Sequence, residues 1–220
     1  MPNRIIDVGT AADPTRLRLH KGGFNCGISN YAALSHRWNA GSKVCETTIA
    51  NYPARLQYIG FDSLTKTFQD AIIVARQLGI QYLWIDSLCI IQDDAEDWME
   101  EALNMQFIYS MAFCTFAVTP SEYSDGFLRR SPTHFVKLGD KTPYAFISKT
   151  SASFERDVEE GQLSTRGWIL QERALSRRTI HFTETQTYFE CGIGIFCETD
   201  EQIRYVSYEP ALYTASMLTS

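Results

Sequence analysis

A chain of 220 residues with 45% hydrophobic and 21% charged side chains can bury a sizeable core and needs no more than one domain. Its formal net charge of -6 argues against unspecific binding to nucleic acid or an anionic membrane, and no basic stripe with interleaved aromatics offsets it. No apolar run approaches the ~20 residues of a membrane span, and the start MPNRIIDVGT lacks the charged-then-apolar order of a signal peptide, so a cytoplasmic protein is expected.

In chain order, Ile5 to Val8 and Leu17 to Leu19 read as two edge strands around a polar turn. Tyr31 to Ser35 is a core strand that ends in the polar cluster Ser35-His36-Arg37-Trp38-Asn39. Ligands of open α/β sheets bind outside the carboxyl ends of the strands, so this cluster is the first place to expect a site. Residues 40–63 read as a connection. Leu64 to Leu78 carries Phe68, Ala71, Ile72, Ala75 and Leu78 on one face and predicts a helix stopped at Gly79.

The stretch Tyr82 to Pro120 organises the rest. Its apolar run from Tyr82 to Ile91, interrupted by Asp86, suits a strand buried on both faces. Gln92-Asp93-Asp94 can cap a helix with Trp98, Ala102, Met105, Ile108 or Tyr109, and Ala112 on its inner face, and Phe113 to Val118 is the next strand. Strand, helix, strand, helix, strand predicts an open, mostly parallel sheet flanked by helices, of flavodoxin-like build. Residues 121–161 read as a long insertion or lid holding at most a hairpin. A short helix from Leu163 to Leu175 follows, with Ser164 as N-cap and Trp168 and Glu172 on it. Thr179 to Phe182 and Thr187 to Cys191 then close one side of the sheet. Residues 200–220 have no strong period, as expected of a C-terminal extension in a domain cut from a longer protein, and the folded core is expected at about 30–195.

Six scattered cysteines and four ungrouped histidines give no zinc pattern, so reduced, mostly buried thiols and no metal are expected. Cys89 within an apolar run is expected to be inert, and His181 to be a satisfied structural histidine.

Three blocks carry a resemblance. They are Tyr31-Ala-Ala-Leu-Ser-His-Arg-Trp38; Thr67-Phe-Gln-Asp-Ala71 running through YLWIDSLCIIQDDAEDW to Tyr109; and Arg166-Gly-Trp-Ile-Leu-Gln-Glu-Arg173 with Phe189-Glu-Cys191. In this order they resemble the fungal heterokaryon incompatibility (HET) domain. Asn39 stands where that family usually has glycine. The resemblance implies an effector of fungal non-self recognition and programmed cell death, beside an adjoining domain or regulatory protein that activates it.

A more remote likeness bears on mechanism. Ala33-Leu-Ser-His-Arg37, Trp84-Ile-Asp86 and Ser164-Thr-Arg-Gly-Trp168-Ile-Leu-Gln-Glu172 are similar to motifs of Toll-interleukin receptor (TIR) domains. In TIR domains that cleave NAD the glutamate of the last motif is catalytic. The likeness implies Glu172 as the catalytic carboxylate, with Glu101 as second choice. It also implies self-association on activation, and NAD+ as substrate rather than resident cofactor. One carboxylate near the ribose suffices to stabilise an oxocarbenium-like state when the leaving group is already a pyridinium. Ser35, His36, Arg37, Trp38, Asp86, Trp168 and Arg173 are the expected substrate-binding residues, tryptophan stacking on the base and arginine holding phosphate. No Gly-rich dinucleotide loop follows the first strand.

Plainer readings stand beside these. Glu172 and Arg173 can form an ion pair, Arg37 can serve a buried carboxylate, and Asp86 can cap a turn. Glu100 and Glu101 can be solvated or answer the helix dipole, and Trp98, Met105 and Tyr109 can be core. Two other function classes stay open: a non-catalytic death-signalling adaptor acting by homotypic assembly, and a nucleotide-sensing module without turnover.

Overall fold

The computed structural model describes residues 2–10, 12–22, 30–38, 43–119, 126–129, 134–136, 145–147, 153–161, 172–198 and 204–205. Nine strands form one sheet: β1 (Arg4–Asp7), β2 (Arg18–Lys21), β3 (Ala32–Ser35), β4 (Tyr82–Trp84), β5 (Cys114–Val118), β8 (Arg178–Phe182), β9 (Thr187–Cys191), β10 (Gly194–Cys197) and β11 (Arg204–Tyr205). Their spatial order is β11-β10-β9-β8-β5-β3-β4-β1-β2. The strands β6 (His134–Val136) and β7 (Ala145–Ile147) pair separately as an antiparallel hairpin.

The sheet is accompanied by helices that include α1 (Tyr52–Arg55), α2 (Lys66–Gln77), α3 (Asp86–Cys89) and α4 (Ala95–Met111). The Thr65 hydroxyl caps α2 by accepting from the Phe68 amide, and Gly79, at φ 71°, ends it in the left-handed conformation that glycine tolerates. Asp94 caps α4 through the amides of Glu96 and Asp97. Every residue of β1, β3 and β5 is buried. Phe68 and Phe116, both fully buried, contribute about 1.5–3 kcal/mol each.

The α/β class is as expected, but the sheet is not mostly parallel. Only β3–β4, β3–β5 and β5–β8 pair in parallel, while β1–β2, β1–β4, β8–β9, β9–β10 and β10–β11 are antiparallel. For β8–β9 and β9–β10 the connections explain it. Residues 183–186 and 192–193 are too short for a crossover and turn the chain back as hairpins.

The four parallel strands β4-β3-β5-β8 nonetheless run in the order 2-1-3-4 by chain position, so the winding direction reverses between β3 and β5. Such a reversal opens a crevice at the carboxyl ends of the two strands.

Two further expectations fail locally. The strand starting at Tyr82 stops at Trp84 and does not run on to Ile91. The Asp86 Oδ1 atom accepts from the next amide, Ser87, at 2.6 Å, and this local bond competes with the ladder and turns the chain into α3. Trp98 is 50% exposed rather than core. The inner side of the first turns of α4 is taken by Asp97 and Glu101, which meet Arg4 and Asn3 of the first strand region.

Candidate functional site at the carboxyl ends of the parallel strands

The register assigns side chains to faces. Ala33 is paired with both Trp84 and Thr115, Ser35 with Ala117, Thr115 with Thr179, and Thr179 with Glu190. Paired residues share a face and alternate residues oppose it. Ser35, Trp84, Thr115, Thr179, His181 and Glu190 therefore lie on one face, and Leu34, Phe116 and Phe182 on the other. The second face is aromatic core, where Phe182 packs against Phe116 and Phe127, and where the His36 ring meets Phe68 edge-on at 5.1 Å.

On the first face α4 delivers Tyr109, whose ring is edge-on to Trp84 at 5.7 Å. The Tyr109 hydroxyl reaches the Leu34 carbonyl at 3.3 Å and hydrogen-bonds the Glu172 side chain. Burial, then the negative charges of Glu172 and Asp86, push the phenol well above its ordinary value, so it stays protonated and donates. One phenolic proton thus faces the last turn of β3 and the buried Glu172 carboxylate together.

Glu172 lies in the helical turn at residues 172–175. The Ser176 hydroxyl ties this turn to the sheet, donating to the Glu172 carbonyl at 2.6 Å and meeting the Thr115 hydroxyl at 2.6 Å. The next residue, Arg173, makes a two-pronged contact with Glu190 at 2.8 and 2.9 Å and lies over the Phe154 ring. His181 Nε2 meets the same Glu190 at 2.8 Å. Burial opposes ionisation of Glu190, but hydrogen bonds from His181 and Arg173 outweigh it and hold the carboxyl at about 2. Burial depresses His181 despite that partner.

At the end of β4, Asp86 lies one strand away from Ser35. Its Oδ2 atom accepts from the indole nitrogen of half-buried Trp38, and its carbonyl accepts from Gln92 at 3.1 Å. Two buried hydroxyls at this edge, Ser35 and Ser87, have no hydrogen-bond partner among the described residues. Buried hydroxyls are seldom left in that state. Arg37 is exposed at the rim.

Of the expected site residues, Asp86 with Trp38 and Glu172 with Tyr109 thus meet around the end of β3, with Ser35 on the same face. Arg173 is held by Glu190, not by Glu172, and so differs from the simple neighbour pair. Trp168 lies outside the described residues.

Glu101 is elsewhere. It is fully buried about 12 Å along α4 from Tyr109, accepting from the Asn3 amide at 3.0 Å and 4.0 Å from Arg4. Sequence reasoning assigned Tyr109 to the core and did not single out Glu190. The pairing of Thr179 with Glu190 and His181 with Tyr188 in the β8–β9 hairpin is what places Glu190 beside His181.

Among the described residues no group of three or more His, Cys, Asp and Glu side chains is placed to hold a metal ion. No described helix is long and apolar enough to cross a membrane. Burial pushes the Cys89 and Cys114 thiols up to about 12, which leaves them protonated at neutral pH.

The family model described as heterokaryon incompatibility protein (HET) matches residues 31–172, from the start of β3 to the buried glutamate. The chain belongs to the HET family. No curated protein and no solved structure matches it. The matched segment of this HET domain contains Ser35, Trp38, Asp86, Tyr109 and Glu172, while Arg173, His181 and the Glu190 that bonds both lie beyond it. Membership assigns the chain to heterokaryon incompatibility.

Proposed function

We propose that this HET domain is an effector of fungal non-self recognition and cell death that hydrolyses the nicotinamide glycosidic bond of NAD+ in the manner of TIR domains. The observation that carries the reading is the buried Glu172 carboxylate beside the Tyr109 hydroxyl, near the end of β3, where the winding of the parallel strands reverses. The 2-1-3-4 order is also that of flavodoxin-like sheets.

Each group has a role in this scheme. Glu172, desolvated but hydrogen-bonded, faces the positive charge that develops on the ribose as nicotinamide departs, and orients the ribose hydroxyls. Tyr109 fixes the carboxylate rather than touching substrate. The Ser35 and Ser87 hydroxyls supply donors to the ribose, the Trp38 ring, oriented by Asp86, stacks on a base, and Arg37 takes phosphate at the rim. Water attacks the ribose carbon, nicotinamide leaves neutral with the bonding electron pair, and the proton lost by the attacking water passes to solvent.

The test is NAD+ consumption and nicotinamide release by purified protein, with self-association measured in the same samples. The expected result is turnover by the wild type that falls at least about a hundredfold in Glu172→Gln. Absence of product from self-associated wild type, or undiminished turnover in Glu172→Gln, overturns the hydrolase. A second reading, the non-catalytic adaptor, draws on the exposed apolar face of α4. It predicts that folded Glu172→Gln still kills cells.

A further inference from the structure

A helix that packs on a sheet ordinarily turns a polar face to solvent. The outward face of α4 does not. Met99 is 64% exposed, Leu103 72%, Phe107 52% and Met111 49%, and Phe113 just past the helix is 43% exposed. Steps of four residues at about 100° per residue keep the helical members in one band, opposite the buried Glu101, Ile108 and Tyr109. The band runs for roughly 18 Å.

Charge is distributed unevenly along it. Glu96 and Glu100 fall in the band at the amino end. At the carboxyl end stands Arg178, its guanidinium 5.1 Å over the Phe113 ring and donating to the Phe113 carbonyl at 3.3 Å.

We propose that this face docks a second copy of the chain about a two-fold axis perpendicular to α4. Two-fold antiparallel packing lays apolar band on apolar band and brings the Glu96 end of each copy onto the Arg178 end of the other, satisfying both charges twice. A parallel arrangement sets like charge on like. A band about 18 Å long and about 10 Å across is far smaller than the ~800 Å² per partner of a standard stable interface, so the dimer is weak and appears with rising concentration. The inference stands apart from the hydrolase reading, since loss of NAD+ cleavage in Glu172→Gln leaves this face untouched.

The experiment is sedimentation velocity on the full chain over an about hundredfold concentration range, with far-UV circular dichroism to show each variant folded. Wild type is expected to pass reversibly from monomer to dimer. Leu103→Glu should weaken association about tenfold or more, Glu96→Arg and Arg178→Glu should each weaken it, and the double reversal should recover it. Four outcomes overturn the proposal: a wild type that stays monomeric throughout; a Leu103→Glu variant that dimerises like wild type; a double reversal no better than the single ones; or a monomer whose Met99 resists peroxide, showing the face already covered.

Discussion

At the scale of single residues, Tyr109 separates positioning from chemistry. Its hydroxyl is the described donor common to the Leu34 carbonyl and the Glu172 side chain. Tyr109→Phe keeps the edge-on packing against Trp84 but leaves two acceptors without that proton. Unfolding in urea should show a loss of about 1–3 kcal/mol. If Glu172 acts on the ribose, turnover should drop by on the order of ten- to a hundredfold with little change in KM, because a carboxylate released from its donor samples wrong orientations. Equal activity in Tyr109→Phe and wild type would remove Tyr109 from the site. Periodicity along α4 marked Tyr109 as inward-facing, and that much was legible. What the pattern could not carry was the hydroxyl's partner, because a period of 3.6 residues says which side a residue faces and nothing about what a segment 63 positions later brings to it.

At the scale of elements, the β8–β9 hairpin and the turn at residues 172–175 are joined through Glu190, and that joint should be sensitive to acid. Folding lowers the Glu190 carboxyl from its ordinary 4.5 to about 2, so its stabilisation is present above pH 4.5 and is lost as pH falls toward 2. Burial lowers His181 below its ordinary 6.5, so the unfolded chain takes up a proton that the fold resists, and stability falls as pH drops below 6.5. Both contributions have the same sign. Glu190→Gln should unfold at lower denaturant at pH 7 and lose the slope between pH 4.5 and 2, as read from urea midpoints across pH. A parallel profile for variant and wild type would show that Arg173 is anchored some other way. The helix caps offer a simpler check: Asp94→Ala removes the acceptor for two α4 amides and should cost about 1 kcal/mol. Thr65 to Gly79 and Asp94 to Val118 were legible because caps, periodicity and apolar runs agreed there. Asp86 was not, since an aspartate between two apolar runs reads equally as an interrupted strand or as the start of a helix, and only its bond to Ser87 settles which.

At the scale of the whole molecule, the sequence order of strands and helices predicted the parallel centre but not the antiparallel flanks, since short polar turns such as 183–186 specify a hairpin only once the neighbouring strands are paired. The assembled sheet sets two of its buried carboxylates, Glu172 and Glu101, in unlike surroundings. Glu172 meets Tyr109 beside the end of β3, whereas Glu101 joins α4 to the chain just before β1. Burial raises the Glu101 carboxyl, against the opposing pull of the Asn3 amide and Arg4, and its Oε2 atom has no partner. A carboxyl whose value is raised by folding destabilises the charged fold at neutral pH, and that penalty fades as pH falls and the group protonates. Glu101→Gln keeps an oxygen for the Asn3 amide and removes the charge, while Arg4 retains Asp97. It should therefore be neutral or stabilising at pH 7, the opposite sign to Glu190→Gln, and should leave NAD+ turnover intact. Thermal unfolding at pH 7, run beside the turnover assay on the same preparations, checks both halves. A Glu101→Gln protein that folds normally yet loses cleavage would move the catalytic carboxylate from position 172 to the amino half of α4.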